Sequence, residues 1–242
     1  MEPQVYEAMA RTEGEHWWFV GRRAIIRSLI ETRVRPPRNA SILEAGCGTG
    51  GNLNLLAAFG KVEAFEYDEA ARAIAGARSG VEVREGRLPG GIEHIGDGYD
   101  MIALFDVLEH LEDDSESLRD LAGRLAPGGR IILTVPAMEW LWSQHDVVHH
   151  HQRRYSRRSL SNTIAEAGLE SDYMSHFNTL LLPAAIAQRF AARFSKGEPE
   201  LDAIPPRPLN KALASIFAAE RKLLEAVRLP VGLSLCAICR AP

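Results

Sequence analysis

The sequence predicts an α/β fold, a doubly wound parallel sheet with helices on both faces. Two observations carry that expectation. From Ser41 to Val135 strand-like and helix-like segments alternate, and strands separated by helices of about ten residues imply right-handed βαβ units. The first strand also runs directly into a glycine-rich turn that opens a helix, as ligand-binding α/β sheets do at their carboxyl edge.

Residues 3–34 read as helical, with Val5, Ala8, Met9, Trp17, Trp18, Val20, Ala24, Ile25 and Leu29 at mixed three and four spacings before Pro36-Pro37. The predicted core then follows as strand 41–45, helix 51–59, strand 62–67, helix 69–77, strand 81–85 and strand 100–105. Helix 115–125, the turn Pro127-Gly128-Gly129 and strand 130–135 complete it. Beyond Pro136 an aromatic and histidine-rich loop (138–155) leads to helix 159–167, Gly168 as its C′ residue, and a strand near 169–174. Two further amphipathic helices, split by a Pro-rich hinge (198–208), occupy 178–228, and Leu233–Ile238 reads as a closing strand.

With 242 residues, 46% hydrophobic and 25% charged, the chain fits one soluble globular domain with a sizeable core. The net charge of −4 argues against a protein built to wrap phosphate backbones. Three cysteines do not make a disulfide framework, and the opening Met-Glu-Pro-Gln lacks the features of a signal peptide, so cytoplasm is the expected compartment. The longest apolar stretch, Thr179–Ala187, is about half a membrane span and contains Pro183, so no transmembrane helix is expected.

In Gly46-Cys-Gly48-Thr-Gly50-Gly51 the missing side chains permit positive φ and close approach of a ligand, and the following helix offers free amides. A nucleotide-like ligand fits that arrangement. Gly46, Gly48 and Gly51 also spell G-x-G-x-x-G, with Glu66 about 20 residues on, so the glycines alone leave a dinucleotide and other adenosine cofactors open.

Four segments together resemble the class I S-adenosylmethionine-dependent methyltransferases: Leu43–Gly50, Glu66 at the end of strand two, Asp100–Leu111, and Leu125–Leu133. Glu15–Arg23 and Trp142–Tyr155 further resemble a bacterial small-molecule subgroup of them, of the methyltransferase type 11/12 kind. The resemblance implies a Rossmann-like sheet of seven strands, mostly parallel with an antiparallel last strand. It divides the chain into an N-terminal helical cap (1–40), an S-adenosylmethionine-binding core (41–137), and a substrate-side loop, accessory helices and closing strands (138–242). It implies S-adenosylmethionine as cofactor and S-adenosylhomocysteine as product, held by Glu44, Gly46, Cys47, Gly48, Gly50, Asn52, Glu66, Tyr67, Asp106 and Val107. Glu66 would bind the ribose hydroxyls and Glu44 would attract the cationic methionine portion. The acidic residue that many members place after strand three is replaced by Gly86-Arg87-Leu88, which shifts adenine recognition to backbone and apolar groups.

Methyl transfer from a sulfonium is an in-line displacement in which positive charge disperses, so the protein mainly aligns donor and acceptor and excludes water. A phenol or hydroxyl acceptor gains from a general base near neutral pKa. Of His110, His145, His149, His150 and His151, the pair His145 and His150 is expected to be catalytic, because their loop follows strand five and overhangs the sheet's carboxyl ends. Trp18, Arg22, His149, Arg154 and Tyr155 are expected to line the acceptor, a small molecule of lipid, quinone-like or sugar-related type. The basic run Arg153, Arg154, Arg157 and Arg158 would suit an anionic acceptor or simply a solvated helix start.

No metal is expected, because adjacent imidazoles of one loop do not all reach one ion. Cys236 and Cys239 would face opposite sides of a strand and serve as core. No nucleic-acid partner is expected, since the chain shows neither a long basic face nor an Asn/Asp-Pro-Pro-aromatic segment for a flipped base. The segment Phe177–Phe194 with Arg189, Arg193 and Lys196 offers a peripheral membrane contact, and the chain is expected to be a monomer or homodimer. Two alternatives stay open. A nicotinamide oxidoreductase would use the glycines and Glu66 but not the other two segments, and a non-catalytic nucleoside-binding relative would use all four.

Overall fold

The computed structural model describes residues 3–192 and 203–242. Its centre is a seven-stranded sheet in the order β3-β2-β1-β4-β5-β7-β6. The strands are β1 (Ala40–Ala45), β2 (Gly60–Glu66), β3 (Val83–Glu85), β4 (Tyr99–Phe105), β5 (Leu125–Pro136), β6 (Glu170–Phe177) and β7 (Ser234–Arg240). The first five pair in parallel, and β7 inserts antiparallel between β5 and β6. The expected Rossmann-like class, strand number and antiparallel last strand are all present.

The central strands carry continuous apolar runs because both of their faces are covered. Neighbouring residues pack into opposite layers: Leu43, Ile102 and Ile131 into one, Ile42, Met101 and Ile132 into the other. The first layer is closed by α5 (Asp114–Ala122) and α7 (Arg157–Glu166) through Leu118, Leu121, Leu160 and Ile164. The second is closed by α2 (Trp17–Leu29) and α9 (Arg207–Ala226) through Ile25, Ile26, Leu29, Phe217 and Leu224. Cys236 and Cys239 are buried in opposite layers, as strand alternation requires.

The helical stretch 3–34 is two helices, α1 (Pro3–Thr12) and α2, separated by a turn at 13–16. Helix α2 runs on into a π-turn, Ile30–Val34, that ends at Arg35 in the left-handed region (φ 51). The expected helix 51–59 contracts to α3 (Leu53–Leu56), because β2 starts at once at Gly60, where a Cβ would stand 2.0 Å from the Ala40 carbonyl oxygen. Helix α4 (Glu69–Ser79) is capped by Asp68, whose carboxylate accepts from the Ala71 amide at 2.9 Å. The loop after β5 contains a 3-10 turn (Glu139–Leu141) and α6 (Gln144–Val148). Helix α8 (Leu182–Ala192) precedes the Pro-rich hinge. Arg193, Phe194, Lys196 and the first part of that hinge lie outside the described residues. Among the described residues no helix is long and apolar enough to cross a membrane.

The order 3-2-1-4-5 places the point where strand order reverses between β1 and β4, and ligands of open α/β sheets bind outside the carboxyl ends there. The glycine turn after β1 and Asp106 after β4 flank that point.

Candidate active site

A single cleft of about 1170 Å³ opens at these strand ends, which exceeds the ~300–1,000 Å³ of ordinary ligand pockets and leaves room for two molecules. One end is lined by the glycine turn, Glu66 and Tyr67. The other is lined by Trp18, Arg22, Trp140, Trp142, His149 and His151.

At the first end Gly46, Gly48 and Gly50 have φ of 67, 53 and 81°, a region costly for residues with a Cβ. They serve different purposes. A Cβ on Gly48 would meet nothing within 4 Å, so its backbone is open to a ligand. Gly46 is crowded by the Val107 side chain at 2.9 Å, and Gly50 lies behind the turn, 3.0 Å from Ala75. Gly50 therefore shapes the turn and does not line the cleft. Glu66 holds the turn from the side: its Oε2 accepts from the Gly48 amide (2.9 Å) and its Oε1 from the Asp68 amide (3.0 Å). Each oxygen keeps a lone pair for a further donor.

Glu44 sits beneath the turn, buried, and its Oε1 accepts from Asn52 Nδ2 at 3.1 Å while Oε2 has no partner. Burial pushes its carboxyl up to about 8, offset in part by the Asn52 hydrogen bond and by Arg22. Glu44 itself does not line the cleft; its hydrogen-bond partner Asn52 does. Cys47, Asn52, Tyr67, Asp106 and Val107 all line the cleft. Asp106 is not a helix cap. It has φ 57, accepts from the Thr134 hydroxyl at 3.2 Å and forms an ion pair with Arg22. Arg22 in turn lies over the Trp18 ring, 4.6 Å from its centroid.

After β3 the wall is formed by Gly86, Arg87 and Leu88. A Cβ on Gly86 would run into the Phe65 ring at 2.6 Å, so glycine keeps that wall close.

The acceptor end departs from the sequence expectation. His150 is exposed, with φ 55, and does not line the cleft. The side chain of His145 lies outside the described residues. His151 does line the cleft. Its Nδ1 meets Asp146 Oδ1 at 2.9 Å, and Asp146 is fully buried. Arg154 lines the cleft, but its guanidinium is held by both Asp146 oxygens (2.7 and 3.1 Å) and the Ala137 carbonyl. Tyr155 is a core residue. It is 1% exposed and its hydroxyl donates to Asp114 Oδ2 at 2.7 Å, because its backbone bridges Ala137 at the end of β5. Arg153 pairs with Asp114 at 3.0 Å, so two members of the basic run are already neutralised within the fold.

Two site features carried no local sequence signal. Asp146 and His151 are brought together by the turn after α6, not by helical spacing. Glu13, 4% exposed, reaches the glycine turn from the N-terminal segment, accepting from the Thr49 hydroxyl at 2.9 Å and pairing with Arg78 of α4.

Residues 16–173 match the family model described as a methyltransferase domain. A probable S-adenosylmethionine-dependent methyltransferase of Mycolicibacterium smegmatis is 28% identical over 160 residues, 64% of this chain and 60% of that protein. The dTDP-4-amino-2,3,4,6-tetradeoxy-D-glucose N,N-dimethyltransferase of Saccharopolyspora spinosa is 30% identical over 184 residues, 67% of this chain and 66% of that protein. Both alignments thus span less than two thirds of the relatives' own lengths. Geranyl diphosphate C-methyltransferase of Streptomyces coelicolor A3(2), solved with Mg2+, geranyl diphosphate and S-adenosylhomocysteine, superposes with a TM-score of 0.55 at 14% identity, covering 90% of this chain and 78% of that one. The chain belongs to the methyltransferase domain family, among the class I S-adenosylmethionine-dependent methyltransferases.

Proposed function

We propose that the chain transfers the methyl group of S-adenosylmethionine to a small-molecule acceptor by in-line displacement. One observation carries the reading: a continuous cleft runs from Glu66 and the glycine turn to aromatic and imidazole side chains, so donor and acceptor would share one space. Glu66 would take the ribose hydroxyls with its remaining lone pairs. Glu44 and Asn52 would face the methionine amine through the turn, and Gly86 to Leu88 would receive adenine by backbone and apolar contact. The segment before β1 contributes a cap over the cleft, since Tyr6, Met9, Glu13 and Trp18 line it.

At the acceptor end Trp140 and Trp142 are 62% and 44% exposed on the rim. With Leu141, Val148 and Ile186 they form an apolar approach to the imidazoles, which favours an acceptor with an apolar body and one polar group to be methylated.

The test is calorimetric titration with S-adenosylhomocysteine, S-adenosylmethionine and NAD in parallel, followed by turnover with a panel of apolar hydroxyl and amine acceptors. The two adenosyl compounds should bind and NAD should not. NAD binding alone would overturn the cofactor assignment. Saturable adenosyl binding with no turnover across the panel would shift the reading to a non-catalytic nucleoside-binding protein.

A further inference from the structure

We propose that Glu109, His110 and His151 form a site for one first-row divalent transition-metal ion at the acceptor end of the cleft. Each offers one ligand atom, and these atoms lie within 4.8 Å of one another. His151 Nε2 stands 4.0 Å from Glu109 Oε1, and the His110 and His151 rings meet edge to face with centroids 4.8 Å apart. All three residues line the cleft. Glu109 and His110 come from the 3-10 turn after β4 (Leu108–His110), and His151 comes from the loop after α6.

The state of Glu109 is the first support. It is 0% exposed, and neither carboxylate oxygen has a hydrogen-bond partner. A buried carboxylate without partners is strongly disfavoured unless it is protonated or meets a cation. Arg22 and Arg154 act on its charge, but Arg22 is paired with Asp106 and Arg154 with Asp146.

The imidazoles supply the second support. Metal-bound histidines characteristically direct their other ring nitrogen to a carboxylate or a backbone carbonyl, which fixes the ring and its tautomer. His151 engages the buried Asp146 through Nδ1 at 2.9 Å, and its Nε2 stands 4.0 Å from Glu109 Oε1. His110 engages the backbone of His150.

Two nitrogens and one carboxylate oxygen suit Zn2+ and its first-row neighbours better than Mg2+ or Ca2+, which take all-oxygen sets. At roughly 2.1 Å bond lengths a tetrahedral ion places its ligands about 3.4 Å apart, so binding draws the three side chains together by small torsional changes. Three protein ligands leave a fourth position facing the cleft. That placement rests on the methyl-transfer reading: an acceptor hydroxyl bound there would release its proton to solvent, and its oxygen would form the new bond to carbon as the sulfonium bond breaks.

The experiment titrates the chelator-treated full chain with Zn2+ and separately with Co2+, and measures S-adenosylhomocysteine binding on the same samples. Wild type should bind one Zn2+ per chain, and Co2+ should give visible ligand-field bands of nitrogen coordination. His151→Ala and Glu109→Gln should lose that stoichiometric binding while retaining S-adenosylhomocysteine. Asp146→Asn, which loosens the His151 ring together with Arg154, should weaken Zn2+ about 10–100-fold. His149→Ala, a cleft histidine outside the donor set, should keep it. Absence of stoichiometric Zn2+ in wild type overturns the proposal whatever the variants do, as does unchanged affinity in both His151→Ala and Glu109→Gln. Failure to bind S-adenosylhomocysteine in wild type counts against the cofactor reading alone.

Discussion

Glu66 and Gly48 form a unit, because the carboxylate that would hold a ribose is also the acceptor for the amide of the turn's most open glycine. Glu66→Ala should raise the dissociation constant for S-adenosylhomocysteine by roughly 10–100-fold, the worth of one or two charge-assisted hydrogen bonds. Gly48→Val adds a β-branched side chain at φ 53 where a ligand would approach, and should do the same at a cost of about 1–3 kcal/mol in stability. Wild-type affinity in both variants, measured calorimetrically, would remove the cofactor from this turn. Glu44 makes a separate, pH-dependent prediction. Its pKa rises from 4.5 in the unfolded chain to about 8 in the native state, so between these values only the native state holds the proton. Its contribution is complete below pH 4.5 and is lost as pH rises through 8. Glu44→Gln removes this dependence. The variant should therefore gain stability relative to wild type on going from about pH 5 to about pH 8, by an amount on the order of a kcal/mol or more. A difference in melting temperature that stays flat across that range would show that Glu44 is ionised in the native protein.

The packing of α2 on α9 joins residues nearly two hundred positions apart. It turns on Gly21, where a Cβ would stand 2.5 Å from Phe217 Cδ1. A glycine in mid-helix lowers helix propensity by about 1 kcal/mol, and the ring seated against it, itself fully buried and stacked on Phe177 at 6.1 Å, is the compensation. Gly21→Val should destabilise the protein by about 1–3 kcal/mol through overpacking, read as a lower denaturant midpoint at unchanged slope. An unaltered midpoint would mean that α9 shifts freely on α2. Elements such as β1, β4 and β5 were legible in the sequence because strands buried on both faces need unbroken apolar runs, and Gly168 is strong local punctuation. The break between α1 and α2 was not legible, since Glu13-Gly14-Glu15-His16 interrupts the periodicity by only one turn. Nor was the role of Gly21, which depends on a partner that only the tertiary fold supplies.

At the scale of the molecule, the end of the cleft proposed for the cofactor was readable from motifs because its residues lie in contiguous segments whose backbone shape is dictated by glycine. The acceptor half was not. Its determinants converge from the segments after β4 and α6 and from the N-terminal helices, and nothing in the histidine run distinguishes His151, buried against Asp146, from exposed His150. The same convergence makes the N-terminal segment part of the site and not an appendage. Glu13 bonds the Thr49 hydroxyl, pairs with Arg78, offers its carbonyl to Arg23 at 2.6 Å, and lies so close to Gly51 that a Cβ there would be 2.3 Å from its Oε2. Tyr6 is buried above the same end, where its own burial and then the charges of Glu66 and Asp68 raise its phenol pKa. A cap attached in this way fixes the glycine turn without contributing to the sheet. Glu13→Ala should accordingly weaken S-adenosylhomocysteine binding by roughly tenfold, about 1.4 kcal/mol, and removal of residues 1–14 should weaken it further. Both variants should keep the far-ultraviolet circular dichroism of a folded α/β protein. If the truncated chain binds the ligand as tightly as the full chain, the cap is packing alone. If it loses the sheet signal, the cap belongs to the folding core, and the affinity of Glu13→Ala decides whether it also orders the turn.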